Sequence, residues 1–291
     1  MYNDYITNKT HSVFDYESTK AFKQMPLDEW FSKSPPFDCR NEFIEKIDYR
    51  IKNSNLNQII GLERFGNKHV INGTTQAFDE AYWLFKNRRL RIFRGEYAYH
   101  RRVNLYCPFI EDEPLAENDY LIISVPFCST GDVHLKLNET LDQAYNLNIP
   151  VIIDCAYWGT CWGIIIDVSH PAIHQVCFSL TKSLGLGDMR SGIRYSNINF
   201  DTPITQQHDY NHLQLMALKI GIYMMDRFDP DHIPNKFREA QESACFDAQI
   251  TPTKCMHLAL GDKNWGHYKI DNMYNRLGIR QLVKERYSKR I

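Results

Sequence analysis

The chain of 291 residues is 43% hydrophobic and 24% charged, with a formal net charge of −1, an ordinary globular composition. A near-zero charge excludes a bulk electrostatic pull toward nucleic acid, and no apolar run approaches the ~18 residues of a membrane span. The opening residues lack the basic and apolar stretches of a secretory leader, and eight scattered cysteines without a CxxC argue against structural zinc, so a reducing cytoplasm without disulfides is the expected setting.

The first 60 residues are polar and mixed, with a loop expected over residues 31–38 (FSKSPPFD). Strand and helix patterns then alternate. A short strand is expected at 69–72 and a helix at 74–89, with Ala77, Ala81, Leu84 and Phe85 on one face. Strands follow at 90–93 and 120–127, then a helix at 137–148 that Pro150 stops. The continuous apolar runs 151–154 and 175–179 read as strands covered on both faces. A long helix is expected at 212–228; after it, Pro230–Phe237 reads as a linker, and the rest carries a helix, a strand at 255–260 and a charged end. The pattern predicts an α/β fold: a three-layer αβα domain on a mostly parallel sheet, with a reduced small α+β domain. The expected boundaries are an N-terminal segment (1–60) joining the small domain, a large domain (61–229) and a small C-terminal domain (230–291).

In open α/β sheets, ligands bind at the carboxyl ends of strands, and the informative residues lie at such ends. Gly73-Thr74-Thr75 turns from a strand into a helix, which suits either an N-cap or a phosphate. Asp154 ends a buried strand, with Tyr157 three residues on; a carboxylate there must be hydrogen-bonded or paired. Ser179 ends another strand, followed by Lys182 and Arg190 around Gly185 and Gly187. Partial enclosure lowers a lysine pKa and makes the amine a nucleophile toward carbonyls. Together these residues ask for a ligand with an anion, an aldehyde and a basic ring nitrogen, and pyridoxal 5′-phosphate (PLP) has all three.

The stretch S-L-T-K-S-L-G-L-G-D-M-R (179–190) resembles the Ser-x-x-Lys-x7-Arg signature of fold type I, aspartate aminotransferase-like PLP enzymes of class I/II. The resemblance runs in order from about residue 68 to 196 and implies that fold. By it, Lys182 is the Schiff-base lysine, Ser179 and Arg190 hold the phosphate, Asp154 pairs with the ring nitrogen and Tyr157 bonds the ring hydroxyl. N-G-T-T-Q-A is similar to the family's phosphate turn, here Gly73, Thr74, Thr75 and Gln76, and Tyr97 of R-G-E-Y-A-Y stands where an aromatic residue stacks on the ring. P-F-C-S-T-G resembles the family's Pro-x-Asn-Pro-Thr-Gly loop, but with Cys128 in the asparagine's place, and a thiol cannot supply the amide's hydrogen bond. The family's substrate-carboxylate arginine lies near the C-terminus, where Arg276 and Arg280 are candidates.

The resemblance implies a homodimeric, PLP-dependent aminotransferase that passes an amino group from an amino acid or other amine to an oxo acceptor. A lyase or decarboxylase on the same scaffold is the nearest alternative, since a fold does not fix which bond breaks; a cofactor-binding protein without turnover is another. The arginine-rich stretch 86–102 reads either as solvated element ends or as a rim that attracts an acidic substrate.

Overall fold

The computed structural model describes residues 3–32, 38–104, 106–197 and 201–289. Its central sheet has six strands: β1 (Asn67–Ile71), β2 (Arg89–Arg91), β3 (Asp119–Ser124), β4 (Val151–Cys155), β5 (Ile173–Ser179) and β6 (Gly192–Ser196). They lie in the order β1-β6-β5-β4-β3-β2. Strands β2 to β5 are mutually parallel, and β6 runs antiparallel to both its neighbours.

Alternation along the strands builds the layers. Ile122, Ile152 and Cys177 face helix α1 (Thr74–Leu84) through Ala77, Phe78 and Ala81. Leu121, Ile123, Val151, Ile153 and Val176 belong to the core that holds Leu137, Leu141 and Ala144 of α2 (Leu137–Asn146) and Leu218 and Ile222 of α3 (Leu215–Met225). Burial on both faces explains the near-continuous apolar runs.

Several elements depart from the sequence reading. Strand β6 was not expected, because Gly-Ile-Arg-Tyr-Ser lacks an apolar run; its buried polar groups are paired instead, Arg194 with Glu80 and the Tyr195 hydroxyl with Asp48 Oδ1 at 2.8 Å. Strand β3 ends at Ser124, before Pro126, which has no N–H for a ladder. Residues 230–237 are not a linker: α4 (His232–Ala248) starts there, with Pro234 in its first turn, where proline is tolerated. The polar N-terminal segment holds helices at Tyr16–Lys23, Leu27–Ser32 and Arg40–Lys52; the last buries a one-sided stripe of Phe43, Ile47 and Ile51. Of the loop expected at 31–38, residues 33–37 lie outside the described residues.

A second, antiparallel sheet comprises β7 (Thr251–Pro252), β8 (Leu258–Leu260), β9 (Lys269–Ile270) and β10 (Tyr274–Gly278), in the order β9-β10-β8-β7. The charged end folds as α5 (Arg280–Ser288), which buries Leu282 and Val283. Ile6 and Val13 join this core, and Thr7 N–H donates to the Gly278 carbonyl at 3.0 Å. From there the N-terminal segment reaches the turn after β5, where the Thr10 carbonyl accepts from Lys182 and Ser12 Oγ donates to the Thr181 carbonyl at 3.1 Å. Among the described residues no helix is long and apolar enough to cross a membrane.

Candidate active site

The carboxyl ends of β3, β4 and β5 and the turn after β1 open on one cavity of about 110 Å³. Its walls include Thr74, Thr75, Tyr97, Cys128, Asp154, Tyr157, Ser179, Lys182 and Arg190. Residues far apart in sequence meet because a parallel sheet aligns its strand ends on one edge.

One corner is built for an anion. Gly73 precedes α1 with φ +77°, a conformation that favours glycine, and the first N–H groups of the helix have no intrahelical acceptor. Arg190 lies against this turn, donating from Nε to the Asn72 carbonyl at 3.2 Å and from Nη2 to Thr75 Oγ1 at 3.0 Å. A Cβ on Gly73 would come within 2.8 Å of Arg190 Nη2, so the glycine is what lets the guanidinium approach. Ser179 Oγ pairs with Thr181 Oγ1 at 2.7 Å on the same side. Gln76 is not part of the corner: its amide nitrogen donates to Gln207 Oε1 at 2.8 Å, its amide oxygen accepts from Asn72 N–H at 2.7 Å, and its own N–H is taken by the Gly73 carbonyl. It braces the turn from behind.

The same cavity also holds an acidic group. Asp154, 5% exposed, accepts from Ala156 N–H at 3.0 Å and from the Thr74 side chain. Burial first, and the neighbouring Glu96 second, push its carboxyl up to about 7. Such a group gains most from a positive partner. Tyr97 stands at the mouth, half-exposed and stacked on Tyr99 with ring centroids 5.9 Å apart.

Lys182 lines the same cavity, and its ammonium donates to the Thr10 carbonyl. Burial lowers its pKa to about 8, with Arg276 and Arg190 adding to the effect. A nucleophilic amine near neutral pH follows directly. Tyr157 is buried; its hydroxyl contacts Cys128 Sγ at 3.6 Å and the Thr10 side chain, and its ring meets His257 edge-on with centroids 4.6 Å apart.

The two C-terminal arginines separate. Arg276 reaches over from β10, and its Nη1 donates to Cys128 Sγ at 3.1 Å and to the Cys128 carbonyl at 3.4 Å. Arg280 opens α5 and lines a different, wider cavity of about 430 Å³ with His11, Phe14 and Met189. The arginines of 86–102 divide: Arg91 is fully buried on Asp119 at 2.9 Å, Arg89 pairs with Asp119 at 2.7 Å and Arg94 with Asp112, whereas Arg101, paired with Asp271 at 2.7 Å, and Arg102 are exposed on the helix at Tyr99–Val103.

Among the groups of the site not singled out from the sequence are Thr10, Ser124, Thr181, Glu96 and His257. The first and last come from segments outside the motifs. Glu96 sits inside R-G-E-Y-A-Y, where a glutamate beside a tyrosine reads as surface, yet it is 2% exposed.

No protein-family model matches the chain, and its sequence matches no curated protein. Solved structures do match in shape. Aspartate aminotransferase from Thermotoga maritima aligns with a TM-score of 0.66 at 13% identity, covering 96% of this chain and 89% of that one. The aromatic aminotransferase from Pyrococcus horikoshii OT3 gives 0.65 at 14%, covering 97% and 93%. A PLP-bound structure described as an aminotransferase, from Clostridium difficile 630, gives 0.64 at 12%, covering 94% and 88%. The chain has the aspartate aminotransferase-like fold of these proteins.

Proposed function

We propose that the chain is a PLP-dependent aminotransferase acting on a small amino donor and an oxo acceptor. The observation that carries this reading is the convergence of Lys182, Asp154 and the Arg190–Thr75–Gly73 corner on one cavity. The residues fit the group: the corner offers an arginine and helix N–H donors to a phosphate, and the buried Asp154 calls for a protonated ring nitrogen. Tyr97 offers a ring face, and Tyr157 and Cys128 line the side between them.

When bound, PLP supplies an aldehyde that an amine can capture and a ring that takes up electrons from the substrate carbon. The chain's own residues do the rest. Lys182, whose amine donates to the Thr10 carbonyl and whose pKa burial lowers to about 8, would hold the group at its aldehyde carbon and serve as the base for the proton on the amino-bearing carbon of the substrate. Asp154 would hold the proton on the ring nitrogen. Arg276, which reaches the cavity wall at Cys128, binds the substrate carboxylate, and a planar guanidinium suits that role. The pairing of two copies of the chain is carried over from the family resemblance and is checked by measuring the mass of the protein in solution.

The test uses purified protein loaded with PLP. Borohydride reduction and peptide mapping should place a pyridoxyl group on Lys182, and a panel of amino acids with a 2-oxo acid should give amino-group exchange. A label elsewhere sinks the assignment of Lys182. A label on Lys182 with no exchange and no spectral response to any amine favours a cofactor-binding protein without turnover; release of CO₂ or another fragment favours a lyase.

A further inference from the structure

Glu96 is a buried carboxylate that no part of the proposed reaction uses. It leaves the chain between β2 and the helix at Tyr99–Val103 and turns inward under Tyr97. Ser124 N–H donates to Glu96 Oε2 at 2.8 Å, Tyr97 N–H donates to Oε1 at 2.8 Å, and the Ser124 hydroxyl donates to Oε1 as well. Burial raises the Glu96 carboxyl above its ordinary value, and the three donors, which suit an ionised carboxylate, act against that rise. Ser124 lines the cavity and lies directly beside Asp154 in the sheet register. Neither carboxylate has an ion-pair partner among the described residues. Glu96 is held on Ser124 at the end of β3, and Asp154 stands next to Ser124 at the end of β4; two buried carboxylates linked in this way are costly without a cation between or beside them.

We infer that Glu96 is a positioning residue for the ring end of the ligand: with Asp154 it forms a two-carboxylate floor that selects a protonated, pyridinium form of the ring over a neutral one. The inference rests on the reading of the cavity as a PLP site and deepens it by naming the charge state the site takes. Other groups facing Asp154 are Lys182, Tyr97, Cys128, Cys155 and Cys177, and Arg276 faces Glu96. Of these the lysine and the arginine oppose the effect, while the tyrosine and the thiols are neutral near pH 7. Glu96 raises the carboxyl of Asp154 by like-charge repulsion, so the repulsion is relieved when a cation arrives.

The experiment measures the affinity of pyridoxine 5′-phosphate for cofactor-free protein from pH 5.5 to 9. This probe has the ring and phosphate but no aldehyde, so Lys182 plays no covalent part. In the parent protein affinity should rise as Asp154 ionises, around pH 7. In Glu96→Gln that rise should shift down by about one pH unit, and Glu96→Asp, which keeps the charge, should stay near the parent. The probe's own titration is common to all three proteins, so the differences report the protein. A rise that shifts equally in both variants, or in neither, overturns the inference and leaves Glu96 as a brace for the turn before Tyr97. Should Glu96→Gln fail to fold, Ser124→Ala removes one donor to Glu96, weakens its ionisation and should move the rise in the same direction; an unmoved rise there overturns the inference too. Failure of the parent protein to bind the probe at any pH sinks the PLP reading itself, a result distinct from normal binding with an unmoved rise.

Discussion

Arg276 donates to the sulfur of Cys128 at 3.1 Å and to its carbonyl at 3.4 Å, tying the small sheet to the loop that follows β3. It also donates to the Asn8 carbonyl at 3.5 Å, and among the described residues its buried Nε has no acceptor. This guanidinium is hydrogen-bonded only to a thiol and carbonyls among the described residues, although it faces Glu96, so a carboxylate can still be bound directly. Arg276→Lys should therefore raise the KM for amino acids about 10- to 100-fold, the worth of a charge-assisted hydrogen bond, and leave cofactor affinity unchanged. Arg280→Lys should leave the KM alone, because Arg280 lines the wider cavity. Steady-state kinetics on both variants decide it. The reverse pattern would move the carboxylate site to the wider cavity, beside His11 and Arg280.

Lys182 gives a prediction about rate and pH. Burial lowers its pKa to about 8, and only the neutral amine attacks an aldehyde. Covalent capture of PLP by cofactor-free protein should speed up about tenfold per pH unit below pH 8 and level off above it. Stopped-flow absorbance over pH 6–10 follows this, with the known titration of free PLP subtracted. A rate still climbing between pH 9 and 10 would mean an amine that is not enclosed.

How far the sequence could be read follows from what burial leaves visible. Strands β3, β4 and β5 are apolar on both faces, so composition alone marks them, and Asp154 and Ser179 are conspicuous as polar residues that end such runs. Strand β6 escaped because Arg194 and Tyr195 are buried through pairing with Glu80 and Asp48, residues 114 and 147 positions away, which no local pattern reveals. Glu96 escaped for the same reason: its three donors come from Tyr97 and from Ser124 on another strand. Arg276 and Arg280 look alike in sequence, one turn of chain apart; only the course of β10 into α5 sends one to Cys128 and the other to the far side of the N-terminal segment. Gln76 reads like part of an anion turn, and it is the contact with Gln207 that removes it.

Gly73 carries a third prediction. Its φ of +77° disfavours any side chain, and a methyl group would meet Arg190 Nη2 at 2.8 Å. Gly73→Ala should cost about 1 kcal/mol of stability and displace the guanidinium from the turn. Affinity for pyridoxine 5′-phosphate should fall at least tenfold, whereas affinity for pyridoxine, which has no phosphate, should hardly change. Calorimetric titration of both compounds against parent and variant tests this. An equal loss for both would mean that the substitution disturbs the whole cavity, and that Arg190 is not a phosphate ligand.

Asp154 links the site to folding, and its sign can be worked out. Its carboxyl titrates at about 7 in the folded protein, above the ordinary value of 3.8. The folded state therefore binds this proton more tightly than the unfolded chain does. The stability it contributes is fully present below pH 3.8 and is lost as pH rises through about 7. Asp154→Asn removes that titration while keeping the size of the side chain. Measured on cofactor-free protein by denaturant unfolding, the variant should gain on the parent by about 2–3 kcal/mol between pH 5 and pH 8, at 1.36 kcal/mol per pKa unit. Saturating PLP should reverse the order at pH 8, because the ionised carboxylate then has its positive partner and the amide does not. A variant whose difference from the parent is the same at both pH values, with or without PLP, would make Asp154 a cap for the loop at Ala156 and remove the acidic end of the site.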